Sequence, residues 1–298
     1  MDIFLQVVLP VLVIFITGYG IQKWRSLDIK SISTVAIYIL TPTLVFRTFY
    51  RADLDQQYIK MVIFSIVLLV VIIMINKIYA KIMHYPSSIE SGLILSTAFM
   101  NSGNYGAPIV LFAFGDRGFA YSVSFLVLQA IIMNFFGVYY AARGVAGVKK
   151  AMTSVLQMPA TYAVIIALFL QIFQLPVSNN IFSAIDLVAE ATIPVVMLVL
   201  GMQLAEIKIT NLQWGKISYG LIVRLIVSPV IAFLILLFLP MDPLLEKVLI
   251  LSAAMPSAAT TTMYAVQFDA EPELVSSITL ITTFVSIFSI TLLLVILA

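Results

Sequence analysis

The sequence predicts an all-α polytopic membrane protein: ten transmembrane helices in two five-helix repeats of opposite orientation, with the fourth and ninth helices broken. Three observations lead there. Apolar residues make up 62% of the 298 residues and charged residues 10%, with a mean hydropathy of +1.12, far from the roughly 25% charged of soluble domains. Nearly the whole chain falls into apolar stretches of about 20 residues, the length that crosses a hydrocarbon layer of about 30 Å. The pattern Glu-x-x-Leu-Ile-Leu-Ser-x-Ala occurs at Glu90–Ala98 and again at Glu246–Ala254, 156 residues apart. A transmembrane barrel would instead show alternating segments of about ten residues.

The spans are expected near 3–22, 31–50, 59–83, 89–114, 118–142, 155–174, 184–205, 215–239, 245–268 and 273–297. The first has Asp2 ahead of it and Lys23 and Arg25 behind it, the wrong polarity for a cleaved signal peptide. It pairs with the sixth through Pro10 and Pro159. The second pairs with the seventh through Pro42 and Pro194, and the fourth with the ninth through the repeated motif. Five spans per half is an odd number, so the second half enters the bilayer in the opposite sense. The halves are 1–143 and 155–298, joined by a short, basic, glycine-containing linker at 144–154.

Orientation follows from Lys and Arg in the connections. Loops after odd-numbered spans hold Lys23, Arg25, Lys30, Lys77, Lys81, Arg143, Lys149, Lys150, Lys208 and Lys216, against Arg47, Arg51, Lys60, Arg117 and Lys247 in the others. That bias puts the first set in the cytoplasm and both termini outside a cell membrane. The acidic loop Asp269–Glu273 runs against the trend.

Each repeated motif leads into helix-breaking residues. The fourth segment continues Asn101-Ser102-Gly103-Asn104-Tyr105-Gly106-Ala107-Pro108, and the ninth continues Met255-Pro256-Ser257-Ala258-Ala259-Thr260-Thr261-Thr262. Pro108 lacks a backbone donor and clashes one turn back, which predicts a break near Asn104. Non-helical backbone at membrane depth survives only buried in protein or beside a wet cavity. A break frees amides at one half-helix start, an end suited to a carboxylate, and carbonyls at the other half-helix end. Asn101 and Asn104 add donors and acceptors without a buried full charge. Small and amide residues packing a kinked helix would explain the same letters, and recurrence of the break in the second half favours a binding site. The candidate substrate-binding set is Asn101, Ser102, Asn104, Gly106, Pro108, Gln129, Pro256, Ser257, Thr260 and Thr261. For any single threonine, capping a freed backbone group outweighs ligand binding as an explanation, because Ser and Thr back-bond inside membrane helices.

Other intramembrane polar residues are Gln129, Asn134, Glu190 and Arg224. Arg224 reads either as a lure for an anion or as a charge pair with Glu190 or Glu206. Arg47 and Glu90 sit near span ends, where snorkelling explains them. With no cysteine, and His84 the sole histidine in a loop, the chain offers no catalytic pair, no metal site and no cofactor motif. A net charge of +2 does not point to nucleic acid.

Asn101-x-x-x-x-Gly106-x-Pro108, Val127-Leu128-Gln129, and Ala253-Ala254-Met255-Pro256 followed by Asp269–Ser277 together resemble the auxin efflux carrier family, which includes plant PIN exporters and bacterial malate- or malonate-type permeases. The resemblance covers essentially the whole chain. It implies the fold of bacterial bile-acid sodium symporters, with a scaffold bundle, a transport bundle, and the two broken helices crossing at the substrate. It further implies elevator-type secondary transport of small organic anions, with Asn101, Gln129 and the backbone beside Pro108 on the substrate carboxylate, and a homodimer. The coupling ion is left open between H+ and Na+. The bile-acid symporters' acidic sodium ligand has no counterpart here, and the long cytoplasmic loop of plant exporters is missing. A sodium-coupled symporter and a non-transporting membrane sensor are the alternative readings.

Overall fold

The computed structural model describes residues 4–52, 56–142, 157–207 and 213–297, all helices, turns and one isolated β-bridge. The expected linker at 144–154 lies outside the described residues. In chain order the helices are α1 (Phe4–Arg25), α2 (Ile29–Tyr50), α3 (Gln56–Ile82), α4 (Ser87–Ala98), α5 (102–114), α6 (116–141), α7 (Pro159–Ile172), α8 (Asn179–Glu206), α9 (Trp214–Phe238), α10 (Pro243–Ala253), α11 (Ala259–Phe268) and α12 (Pro272–Leu297). Among the described residues, seven stretches are long and apolar enough to cross a membrane, one of them the 40-residue Ser102–Ala141. That stretch turns at Gly115, where φ 65° and ψ −167° separate α5 from α6. A side chain would strain that backbone.

The helices sort by packing. α1 lies along α8, and α2 along α7 and α8, while α3, α9 and α12 pack around the broken pieces α4, α5, α10 and α11. In lipid the apolar effect does not drive helices together, so close backbone approach carries the association. The α1–α8 contact is of that kind. A Cβ on Gly18 would lie 2.2 Å from Leu198 O, and one on Gly201 would lie 2.1 Å from Phe15 O. Pro194 is accommodated inside α8, and the nearby Thr192 hydroxyl donates to Leu40 O at 3.0 Å, beside Pro42 in α2. Arg47, at the end of α2, lies 3.7 Å from Asp186 of α8 instead of standing free at the interface.

Asp28 caps α2, accepting the Lys30 amide at 3.2 Å and the Ser31 hydroxyl. The Ser31 hydrogen bond holds this carboxyl below its ordinary pKa. A depressed folded-state pKa lends stability above the unfolded value, lost as pH falls through the folded one. Asp28→Ala is therefore expected to speed amide exchange in the first turn of α2 at neutral pH and to change nothing in strong acid. Equal exchange of wild type and variant at neutral pH would remove the cap's role.

Candidate functional site

The two breaks meet. α4 ends at Ala98 and α10 at Ala253, and the segments beyond them run antiparallel, with Met100 bridged to Ser257. Asn101 N–H donates to Pro256 O at 2.8 Å and Ala258 N–H donates to Phe99 O at 3.0 Å. The two hydrogen bonds flank the Met100–Ser257 pair, one running in each direction between the segments. Pro256 fits because the bridge uses its carbonyl and never needs the amide it lacks.

The break therefore falls at Phe99–Asn101 and not near Asn104, a correction to the sequence reading. Pro108 sits in the first turns of α5, and the chain absorbs it by widening the preceding turn: Gly106 N–H reaches back to Asn101 O at 2.9 Å in a π-type turn. Single π-turns recur at functional sites. Consequently Gly106 and Pro108 are buried in packing. A Cβ on Gly106 would press Met255 at 3.2 Å, and the backbone beside Pro108 does not line the cavity that the crossing creates.

That cavity, about 70 Å³, is lined by Asn101, Ser102, Gly103, Asn104, Gln129 and Thr260, with Phe99, Met100, Leu126, Ala130, Met133 and Ala258 as its apolar wall. It admits a carboxylate or a few waters, not a whole ligand of the kind enclosed by sites of about 300–1,000 Å³. Two helix starts open onto it. α5 begins after Asn101 and α11 after Ala258, and neither is capped by a side chain. Asn101 is 6% exposed and its Nδ2 has no acceptor among the described residues. An orphaned buried donor costs about 1–3 kcal/mol, and this one belongs to a residue that lines the cavity. Among the described residues, no charged side chain lines the cavity.

Of the ten candidates, Asn101, Ser102, Asn104, Gln129 and Thr260 come together. Pro256 belongs to the bridge, Ser257 receives the Thr279 hydroxyl at 3.2 Å, and the Thr261 hydroxyl donates to Ala258 O at 2.7 Å. Those two hydroxyl groups are spent inside the protein.

Residues 3–294 match the family described as membrane transport protein. The chain belongs to the auxin efflux carrier family. It is a multi-pass membrane protein of a transporter family. It is 27% identical over 300 residues to a protein of Methanothermobacter thermautotrophicus named "Uncharacterized transporter", covering 96% of each chain. It is 26% identical over 302 residues to an "Uncharacterized transporter" of Methanocaldococcus jannaschii, covering 97% of each.

In this family member Arg224 does not pair with Glu190, and the expected charge pair is withdrawn. Arg224 is fully buried in α9, whereas Glu190 is exposed and lines a second cavity with Arg47 and Asp116. Glu206 is taken by Gln22 Nε2 at 2.8 Å. The described ion pairs join Arg47 and Arg51 to Asp186 and Arg117 to Asp242. Asn134 spans α6 and α11, accepting the Tyr264 hydroxyl at 2.8 Å. The wall residues Leu126, Ala130 and Met133 are additions to the predicted set. Leu126 and Met133 stand three and four positions from Gln129, a spacing that puts them on its helix face.

Proposed function

We propose that the protein is a secondary carrier of small organic monoanions, carboxylates in particular, working by elevator-type alternating access in the cell membrane. In this reading ten crossings form two inverted five-helix repeats with both termini outside, α4/α5 and α10/α11 each counting as one broken crossing. The observation that carries it is the convergence of two uncapped helix starts and the orphaned Asn101 donor on one cavity. Each helix start supplies roughly half a positive charge, so the pair offers about one, the match for a single carboxylate. With no Lys or Arg among the described residues that line the cavity, a second carboxylate would meet only the apolar wall. The partition of helices into two packing groups supports rigid movement of one group past the other.

Charge movement on a supported membrane, with purified protein in proteoliposomes and a panel of mono- and dicarboxylates, tests this. Monocarboxylates are expected to give currents or counterflow, with dicarboxylates weaker by at least about tenfold, since a buried unpaired charge is costly. Varying Na+ and pH independently separates the two coupling ions. Ligand-induced stabilisation without flux would mean a sensor; preference for dicarboxylates would remove the charge argument. Gln129→Lys is expected to shift preference toward dicarboxylates by placing a cation at the wall.

A further inference from the structure

The opposite side of the crossing holds the complementary charge. Arg224 donates from Nη1 to Thr97 O at 2.6 Å and from Nη2 to Ala253 O and to Ser228 Oγ at 2.6 Å, and Ser228 itself donates to Ala253 O at 2.9 Å. Thr97 closes the last turn of α4 and Ala253 the last turn of α10. The two residues are 156 positions apart and occupy the same place in the two copies of Glu-x-x-Leu-Ile-Leu-Ser-x-Ala. One guanidinium therefore bonds equivalent carbonyls of both repeats. From α3, Asn76 reaches the same turn, donating to Thr97 Oγ1 at 2.8 Å.

The last carbonyls of a helix have no partner within it, and each helix end carries roughly half a negative charge. α4 and α10 end together, buried in the protein, so the pair amounts to about one unit. We propose that these carbonyl ends form a cation-binding site and that Arg224 is its resident cation, a positioning residue that holds the two half-helix ends together. The anion side of the crossing is left for an outside ligand, whereas the cation side is filled by the protein's own side chain. A mobile cation is therefore not needed at this point for the crossing to form. This inference does not rest on the carboxylate reading, because Arg224 does not line the ligand cavity and its test needs no substrate.

The test is thermal unfolding of the detergent-purified, full-length protein. Arg224→Ala is expected to lower Tm by about 10 °C, as removal of one partner of a buried charge network implies for a chain this size. Guanidinium chloride at low millimolar concentration, compared with sodium and choline chloride, should restore part of that loss in Arg224→Ala and leave the wild type unmoved. Arg224→Lys should hold a higher Tm than Arg224→Gln, since it keeps the charge without the fork, and Gln keeps hydrogen bonding without the charge. That comparison decides the matter where Arg224→Ala does not fold. Equal Tm for Lys and Gln variants, or Gln above Lys, would overturn the proposal, as would an Arg224→Ala protein indifferent to guanidinium. A carrier that fails every carboxylate assay but shows this rescue would lose the anion reading and keep the cation site.

Discussion

Gly201→Leu is expected to abolish recovery of folded protein, and Gly18→Leu to do the same. At each position the backbone of the neighbouring helix fills the space of a side chain: Phe15 O lies 2.1 Å from where the Gly201 Cβ would stand, and Leu198 O 2.2 Å from that of Gly18. Overpacked side chains usually cost about 1–3 kcal/mol because rotamers give way. Here the obstacle is main chain on both sides, so α1 and α8 must separate along their shared length, at more than about 4 kcal/mol, an exceptional effect for one substitution. At Gly20 and Gly215 a Cβ would meet nothing within 4 Å, so the same substitution there serves as a matched control. Fluorescence-detected size exclusion of tagged variants reads the outcome. A monodisperse Gly201→Leu protein at wild-type yield would show that the close approach of α1 and α8 is dispensable.

Asn101→Ala is expected to raise the half-saturating substrate concentration by about 10- to 100-fold, the worth of a hydrogen bond to a charged acceptor. The backbone of Asn101 joins the bridge through its own amide, so truncating the side chain leaves the crossing intact. The effect should appear in transport and not in Tm. Asn101→Asp should be worse than Ala, because a fixed carboxylate at the uncapped starts of α5 and α11 competes with the substrate's. Uptake curves for each active monocarboxylate decide it, and unchanged curves for Asn101→Ala would remove this residue from the site.

The helices and the paired breaks are legible in the sequence because hydropathy and repetition are properties of letters. What escapes it is written in backbone. Pro108 draws the expected break toward Asn104, since the local rule weighs the clash and not its relief, and the π-type turn just ahead of the proline carries that relief. Arg224 invites pairing with Glu190 or Glu206 because only acids stand out in a sequence as partners for an arginine. Its actual acceptors include the carbonyls of Thr97 and Ala253, which any residue could supply. Gly18 and Gly201 are silent in the sequence for the same reason: isolated glycines inside apolar spans show their purpose only when the opposing main chain is in place.

The bridge between the breaks has a further consequence for how the two copies could change over time. Its hydrogen bonds run from the amides of Asn101 and Ala258 to the carbonyls of Pro256 and Phe99, and no side chain takes part. Substitutions along this seam therefore leave the join intact so long as those two amides remain. One segment carries amides and glycines and the other a proline and hydroxyls, and no side chain of either set enters the two bridging hydrogen bonds. Phe99, Met100, Asn101 and Ala258 belong both to the cavity wall and to the joint, yet the joint draws only on their main chain, so the chemistry of the wall can change on a crossing that stays fixed.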